Sequence, residues 1–339
     1  MAERGAADAV PGAAEVPDTP SAGRGLLDQP LHAGAALGVL ALLVALPPLA
    51  QALDGSFYVS FATRILIFAL AAASLNLLIG FGGMVSFGHA AFVGLGAYAV
   101  GVLMQAGVSS ALIAWPAAVL VAGLFALAIG AVSVRTHGVY FIMITLAFAQ
   151  MLYYLMVSLR TFGGDDGLPL AARSGLPFGL DAANDITFYY VVLAVCAAAF
   201  VFVQRLLNAR FGFALRAIAE NETRMRAIGF PVYRYRLAAF TLAGALAGLA
   251  GALLANQTGL VTPSTMQWTQ SGALMVMVIL GGVGHLWGGV IGAAVLLLLE
   301  EFASAWTIHW QLGVGLVLLA VVLASPDGIA GVIARWRRR

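Results

Sequence analysis

Lysine is missing from this 339-residue chain; all 17 of its basic residues are arginine. Without lysine there is no Gly-rich loop ending in Gly-Lys-Ser/Thr, so the chain cannot hold a nucleotide phosphate in the P-loop manner. Charge of either sign is scarce: 9% of residues are charged and 62% hydrophobic, against about 25% charged in a soluble domain. That shortage excludes a soluble globular protein and points to an integral membrane chain. A net charge of +2, gathered near the ends of hydrophobic runs, is too small to imply nucleic acid. The one cysteine, Cys196, lies in an apolar run and excludes an intrachain disulfide. His32, His89, His137, His285 and His309 are scattered, with no HExxH or other ligand spacing. Ser86 and His89 are three residues apart, but no carboxylate lies nearby in sequence to orient the histidine as a base. Neither a catalytic residue nor a bound metal or cofactor is expected in this chain.

What the chain has in abundance is hydrophobic runs of membrane length. Residues 1–30, rich in Ala, Gly, Pro and acids, read as a disordered tail, and no apolar core follows the first Met closely enough for a cleavable signal peptide. Spans are then expected at about 32–52, 57–79, 110–132, 139–157, 187–206, 237–255 and 312–323. Two further regions, 75–104 and 270–299, are broken by glycine. With a cytoplasmic N-terminus the count is ten crossings, or eight or nine if those two regions hold re-entrant or half-length helices. The class is all-α and polytopic. Arg64, about two turns inside its span, can snorkel to the outer interface, which favours a structural role over a substrate site. Adjacent carboxylates at Glu300 and Glu301 would be costly at mid-bilayer and mark an outer boundary.

The first broken region reads LNLLIGFGGMVSFGHAAFVGLGAYAVGVLM. A broken helix within a membrane survives only where protein or a water-filled path satisfies the freed peptide groups. Asn76, Gly83, Ser86, Gly88 and His89 are therefore candidates for the pathway, with a glycine-rich packing seam as the plainer alternative. The second region contains GGVGHLWGG, whose Gly282 and Gly284 are candidates of the same kind. Its likeness to the first hints at two related halves. Between 237 and 255, Gly244, Gly248 and Gly251 are spaced for a tight helix interface.

Two polar interludes separate the spans. Residues 160–186 are acidic and low in arginine, which suits the outer, periplasmic face. Residues 207–235, with the flanking Arg205 and Arg236, bring seven arginines together and belong on the cytoplasmic side. There the pairs Arg216/Glu220, Glu220/Arg224 and Glu222/Arg226 are four apart, as on a short amphipathic helix or a pair of them, and Gly229 before Pro231 is a stop signal. Such an element could receive force from an engine outside the chain, or be an ordered connecting loop. An ion-coupled transporter would be expected to carry intramembrane carboxylates or lysine, of which there is little sign here. The arrangement favours a conduit powered from outside, with a channel or ion-coupled carrier as the alternative. The basic end, residues 327–339, is also expected in the cytoplasm, near anionic headgroups.

Four stretches together resemble the branched-chain amino acid ABC transporter permease family, in particular the longer of its two membrane subunits. They are Leu75 to Tyr98 (Asn76, Gly80, Gly83, Ser86, Gly88, His89, Gly96), TFGGDDGL from Thr161, Ala214 to Leu253 (Glu220, Asn221, Glu222, Ala227, Gly229), and GGVGHLWGGVIGA (Gly281, Gly282, Gly284, Gly288). Phe162 interrupts the family's Thr-Gly-Gly, Arg236 replaces a common lysine, and the region around Arg224 to Arg226 is more basic than usual. The resemblance implies a multi-pass subunit of the bacterial inner membrane over residues 31–326. Its partners would be a homologous second permease, two ATP-binding subunits that hold ATP and Mg, and a periplasmic binding protein. Arg216, Glu220, Asn221, Glu222, Arg224 and Gly229 would couple it to the ATPases. The expected cargo is branched-chain or related amino acids, with urea or short-chain amides as the alternative.

Overall fold

The computed structural model describes residues 33–52, 56–177, 181–306, 309–324 and 328–331. The expected tail at 1–30 and nearly all of the basic C-terminal segment lie outside the described residues. Twelve α-helices carry the described chain: α1 (Ala33–Ala52), α2 (Ser56–Asn76), α3 (His89–Gln105), α4 (Ala111–Ser133), α5 (Val139–Ser158), α6 (Asp185–Asn208), α7 (Arg210–Glu220), α8 (Glu222–Ala227), α9 (Val232–Thr258), α10 (Trp268–Gly281), α11 (Gly288–Trp306) and α12 (Trp310–Ala324). The strands described are two residues each, β1 (Leu168–Pro169) and β2 (Leu260–Val261), paired antiparallel with Leu168 opposite Val261. This is an all-α, multi-pass membrane protein.

Six helical segments are long and apolar enough to cross a bilayer: Phe57–Phe81, Ala111–Ser133, Val139–Ser158, Asp185–Asn208, Val232–Thr258 and Gly288–Trp306. Four shorter apolar helices accompany them, Leu37–Ala50, His89–Gln105, Trp268–Gly281 and Gln311–Val321. At 1.5 Å per residue the 14 residues of α10 reach about 21 Å, short of a hydrocarbon core of about 30 Å. The two most enclosed spans are α2 with its continuation, 72% buried, and α9, 61% buried, whereas α4, α5, α6 and α11 fall between 28% and 39%. The first pair forms the centre, and the others turn large apolar side chains such as Leu112, Leu120, Tyr140 and Met151 outward.

Small residues set the central packing, because lipid chains give helices no hydrophobic reason to associate and close van der Waals approach must do so. A Cβ at Gly248 of α9 would run into Ala122 of α4 and come within 2.9 Å of Ala118 O. One at Gly251 would strike Val93 O of α3, and one at Gly96 of α3 would strike Gly248 O. The spacing of Gly244, Gly248 and Gly251 thus serves two neighbours, α3 on one side and α4 on the other. Phe92 and Phe141 meet Phe240 edge-on, with centroids 5.5 and 6.0 Å apart, and fill the remaining space.

One end of the bundle carries the β1–β2 pair. There Arg173 donates to Asp185 Oδ1 (2.6 Å), Ala182 O (3.1 Å) and Asn256 O (3.2 Å) and lies over the Phe188 ring, tying the 160–186 interlude to α6 and α9. The other end carries α7 and α8.

Candidate functional site

The first glycine-broken region departs from an α-helix at a defined place. After Asn76 the chain winds as a π-helical turn, Leu77–Phe81, and then runs without helix through residues 83–88 before α3 starts at His89. Gly83 adopts φ +64°, a left-handed conformation suited to glycine, and a Cβ there would be 3.3 Å from Ala219 of α7. Five residues on, Gly88 lies against α5, where a Cβ would be 2.6 Å from Thr145 O. The N–H of Ala90 donates to Ser271 Oγ of α10 at 2.9 Å. The unwound stretch therefore leaves the α7 end of the bundle and climbs into its interior, and α3 begins there. The freed N–H groups of Met84, Gly88 and Ala90 are met by Leu78 O, Ser86 Oγ and Ser271 Oγ, the kind of internal partner a lipid-embedded break requires.

Within this stretch Ser86 and His89 are wholly buried. Ser86 Oγ accepts from the Gly88 N–H at 3.2 Å. His89 Nε2 lies 2.8 Å from Ser74 Oγ, and the Ser74 hydroxyl lies 2.7 Å from Ala71 O. A hydroxyl has one hydrogen, and Ala71 O can only accept, so Ser74 accepts from His89 and the imidazole Nε2 carries a proton. Its Nδ1 has no partner among the described residues.

The second glycine turn packs on the first. Asn76 Oδ1 accepts from Gly284 N–H (3.1 Å) and its Nδ2 donates to His285 O (2.8 Å), across more than 200 residues of chain. Gly80 lies so close to Gly284 that a Cβ there would be 2.7 Å from Gly284 Cα. Gly282 and Gly284 take φ values of +114° and +76°. Asn76, Gly282 and Gly284 thus meet in a closed seam, while Gly83, Ser86, Gly88 and His89 follow the unwound stretch beside it.

The arginine-rich interlude folds as two helices, the second of the alternatives expected from its pattern. Asn221, extended at φ −153°, ends α7 and caps α8, its Oδ1 accepting from Arg224 N–H at 2.9 Å. This is the ordinary N-cap chemistry of asparagine. Gly229, at φ +84°, closes the segment. Arg216 donates to Leu207 O (2.7 Å) and its guanidinium lies 5.4 Å from the centres of the Phe81 and Phe213 rings. Since Phe81 ends the π-helical turn, Arg216 and Ala219 place α7 directly on the broken region.

Glu222 is the hub of the segment. Its carboxylate accepts from Arg226, meets Arg236 Nη1 of α9 at 2.8 Å, and meets His137 of the α4–α5 turn at 3.0 Å. The Arg226 pair was legible as an i, i+4 spacing. His137 and Arg236 were not, because nothing local links them to Glu222. Nearby, Tyr233 OH donates to Ala131 O (3.0 Å) and Arg135 lies over its ring. Glu220, Asn221, Arg224 and Gly229 are exposed, as are Phe213, Ile228 and Phe230.

Toward the β1–β2 end, a cavity of about 380 Å³ opens between α2, α3, α9, α10 and the turn Pro263–Met266. Ser60, Arg64, Gln257, Thr258, Thr265 and Gln270 are its polar lining. Sequence reasoning did not single out this cavity, since Gln257 and Gln270 lie about 200 residues further along the chain than Arg64 and no local pattern relates them. A second cavity, of about 440 Å³, is walled by apolar side chains from α1, α2, α6 and α11, including Cys196 and Trp287.

Among the described residues, no cluster of three or more His, Cys, Asp or Glu is placed to hold a metal ion. A buried unwound segment, a charged helix pair docked on it and a polar-walled cavity belong to the class of membrane transport subunits. Residues 57–324 match the family described as branched-chain amino acid transport system, permease component, and the chain belongs to that family. It is similar to the high-affinity branched-chain amino acid permease protein LivM of Salmonella typhimurium, 26% identical over 80% of this chain and 69% of the relative. The LivM of Escherichia coli is 27% identical over the same shares. The autoinducer 2 import permease LsrC of an Enterobacter species is 29% identical over 85% of this chain and 84% of its own. No solved structure matches the chain. The chain is a non-catalytic permease component of an ABC-type importer, a multi-pass protein of the inner membrane.

Proposed function

We propose that this permease forms the substrate pathway of an ATP-driven importer for branched-chain or related amino acids, as the two LivM relatives suggest. Its partners are a homologous second permease, two ATP-binding subunits and a periplasmic binding protein. The arginine-rich end of the bundle faces the cytoplasm, the β1–β2 end faces the periplasm, and ten crossings put both termini inside. Residues 31–326 are the permease domain, residues 207–235 its coupling segment and residues 160–186 its outer loop.

The observation that carries this reading is the docking of α7 and α8. Glu222 joins them to the α4–α5 turn and to the base of α9, while Arg216 and Ala219 join them to the π-helical turn. Movement of an ATPase against the exposed residues Glu220, Asn221, Arg224 and Gly229 would reach three parts of the bundle at once. In this account Glu222 is the inner anchor of the coupling segment, and the exposed residues meet the ATPase. Asn76, Gly83, Ser86, Gly88, His89, Gly282 and Gly284 form the part that yields beside the pathway.

Affinity purification from native membranes in mild detergent tests the assembly. A second permease and two ATP-binding subunits in near-equal amounts support it, and a chain recovered alone or only with its own copies would sink it. Uptake of leucine, isoleucine and valine by the purified assembly tests the cargo. The LsrC likeness favours a second reading, a small polar solute that is not an amino acid, which competition by such solutes but not by leucine would support.

A further inference from the structure

The polar-walled cavity carries one cation in its lining, Arg64, which Glu300 of α11 influences electrostatically without a direct ion pair. Among the described residues Arg64 forms neither an ion pair nor a hydrogen bond. Its guanidinium lies 5.7 Å from the centre of the Phe68 ring, which leaves the planar fork of N–H donors open. Arg64 is exposed and contributes to the cavity wall.

A second group in the same lining is unsatisfied. Gln257 Nε2 donates to Ser60 O at 2.7 Å, which fixes the amide orientation, and its Oε1 is buried with no partner among the described residues. Such an acceptor costs free energy until a donor reaches it. Ser60 and Arg64 are four apart on α2, so Gln257 lies about one turn from Arg64 along the wall. Deeper in, the lining turns to Phe68, Val93, Leu254 and Leu274.

We infer that this cavity is a transit site for a zwitterionic α-amino acid with an apolar side chain, its carboxylate held by Arg64 and its ammonium by Gln257 Oε1. The assignment rests on the amino-acid reading above and adds the residues that would recognise the cargo. Arginine suits a carboxylate through two parallel N–H···O bonds, and the apolar depth of the cavity takes the side chain.

The complete importer, with its binding protein, is reconstituted in vesicles and uptake of radiolabelled leucine is measured on preparations matched for assembled complex. Arg64→Gln is expected to lower uptake at least tenfold, and Arg64→Lys, which keeps the charge without the fork, to recover part of it. Gln270→Glu, at an exposed position, places a competing carboxylate in the lining and is expected to lower uptake severalfold. Should Arg64→Gln fail to assemble, Gln270→Glu decides. Uptake within twofold of wild type in Arg64→Gln or, failing its assembly, in Gln270→Glu overturns the inference. Wild-type vesicles that take up none of leucine, isoleucine and valine overturn instead the amino-acid reading on which it rests.

Discussion

Two arginines and a histidine converge on the Glu222 carboxylate from three elements, α8, α9 and the α4–α5 turn. Arg236 and Glu222 are mostly enclosed, at 12% and 19% side-chain exposure, whereas Arg226 at 61% is not. The Arg236 contact should therefore carry most of the energy, since exposed pairs contribute little. Glu222→Gln removes the charge and keeps the shape, and the expected cost is ~2 kcal/mol from the charge-assisted bonds. The expected result is a complex that assembles and hydrolyses ATP while transporting less per ATP, read as the ratio of uptake to hydrolysis in vesicles. An unchanged ratio would show that the anchor does not transmit movement. Only the Arg226 leg of this hub could be read from the sequence, because the His137 and Arg236 legs join residues that no local pattern relates.

At the scale of elements, the α3–α9–α4 contact makes the sharpest demand. Gly251→Ala sets a methyl against Val93 O, where backbone must move, and a cost of roughly 1–3 kcal/mol is expected from overpacking. Gly272→Ala, with nothing within 4 Å of the added methyl, is the control. Thermal unfolding in detergent should show a clear drop in Tm for the first and none for the second; equal Tm values would refute the tight contact. The lead-in to α3 is equally exacting. Gly88→Leu would push into the Thr145 carbonyl, and transport should be lost while the protein still inserts. Normal uptake in well-folded Gly88→Leu would make the unwound segment incidental. Glycine spacing on α9 announced a tight interface, but not which helices would fill it, since a small-residue stripe specifies closeness and not its partner.

For the whole molecule, the question is where an external engine could grip. Phe213, Ile228 and Phe230 are apolar and exposed beside the charged residues of α7 and α8, at the end of the bundle opposite the β1–β2 pair. Ile228→Asp combined with Phe230→Asp should reduce co-purification of the ATP-binding subunits at least fivefold with membrane insertion unaffected. Full retention would mean that another surface carries the docking. Neither side chain makes a described hydrogen bond, but Phe230 lies 6.0 Å from the Tyr235 ring, so Ile228→Asp alone, with no described internal partner, separates a loss at the interface from a change in the fold.

Hydropathy, arginine placement and helical spacing are properties of neighbouring residues, and from them alone the sequence determined the membrane class, the approximate positions of five of the six long spans, a charged segment of one helix or two, and the likeness to a permease family. Tertiary structure alone decided the rest. It set Asn76 against Gly284 and His285, brought His137 and Arg236 to Glu222, and placed Arg64 in one cavity with Gln257 and Gln270. Local periodicity tells a helix which face to bury. The partner buried against that face is settled by the packing of segments as much as 209 residues apart, where one carbonyl or one missing Cβ decides how closely two backbones can meet.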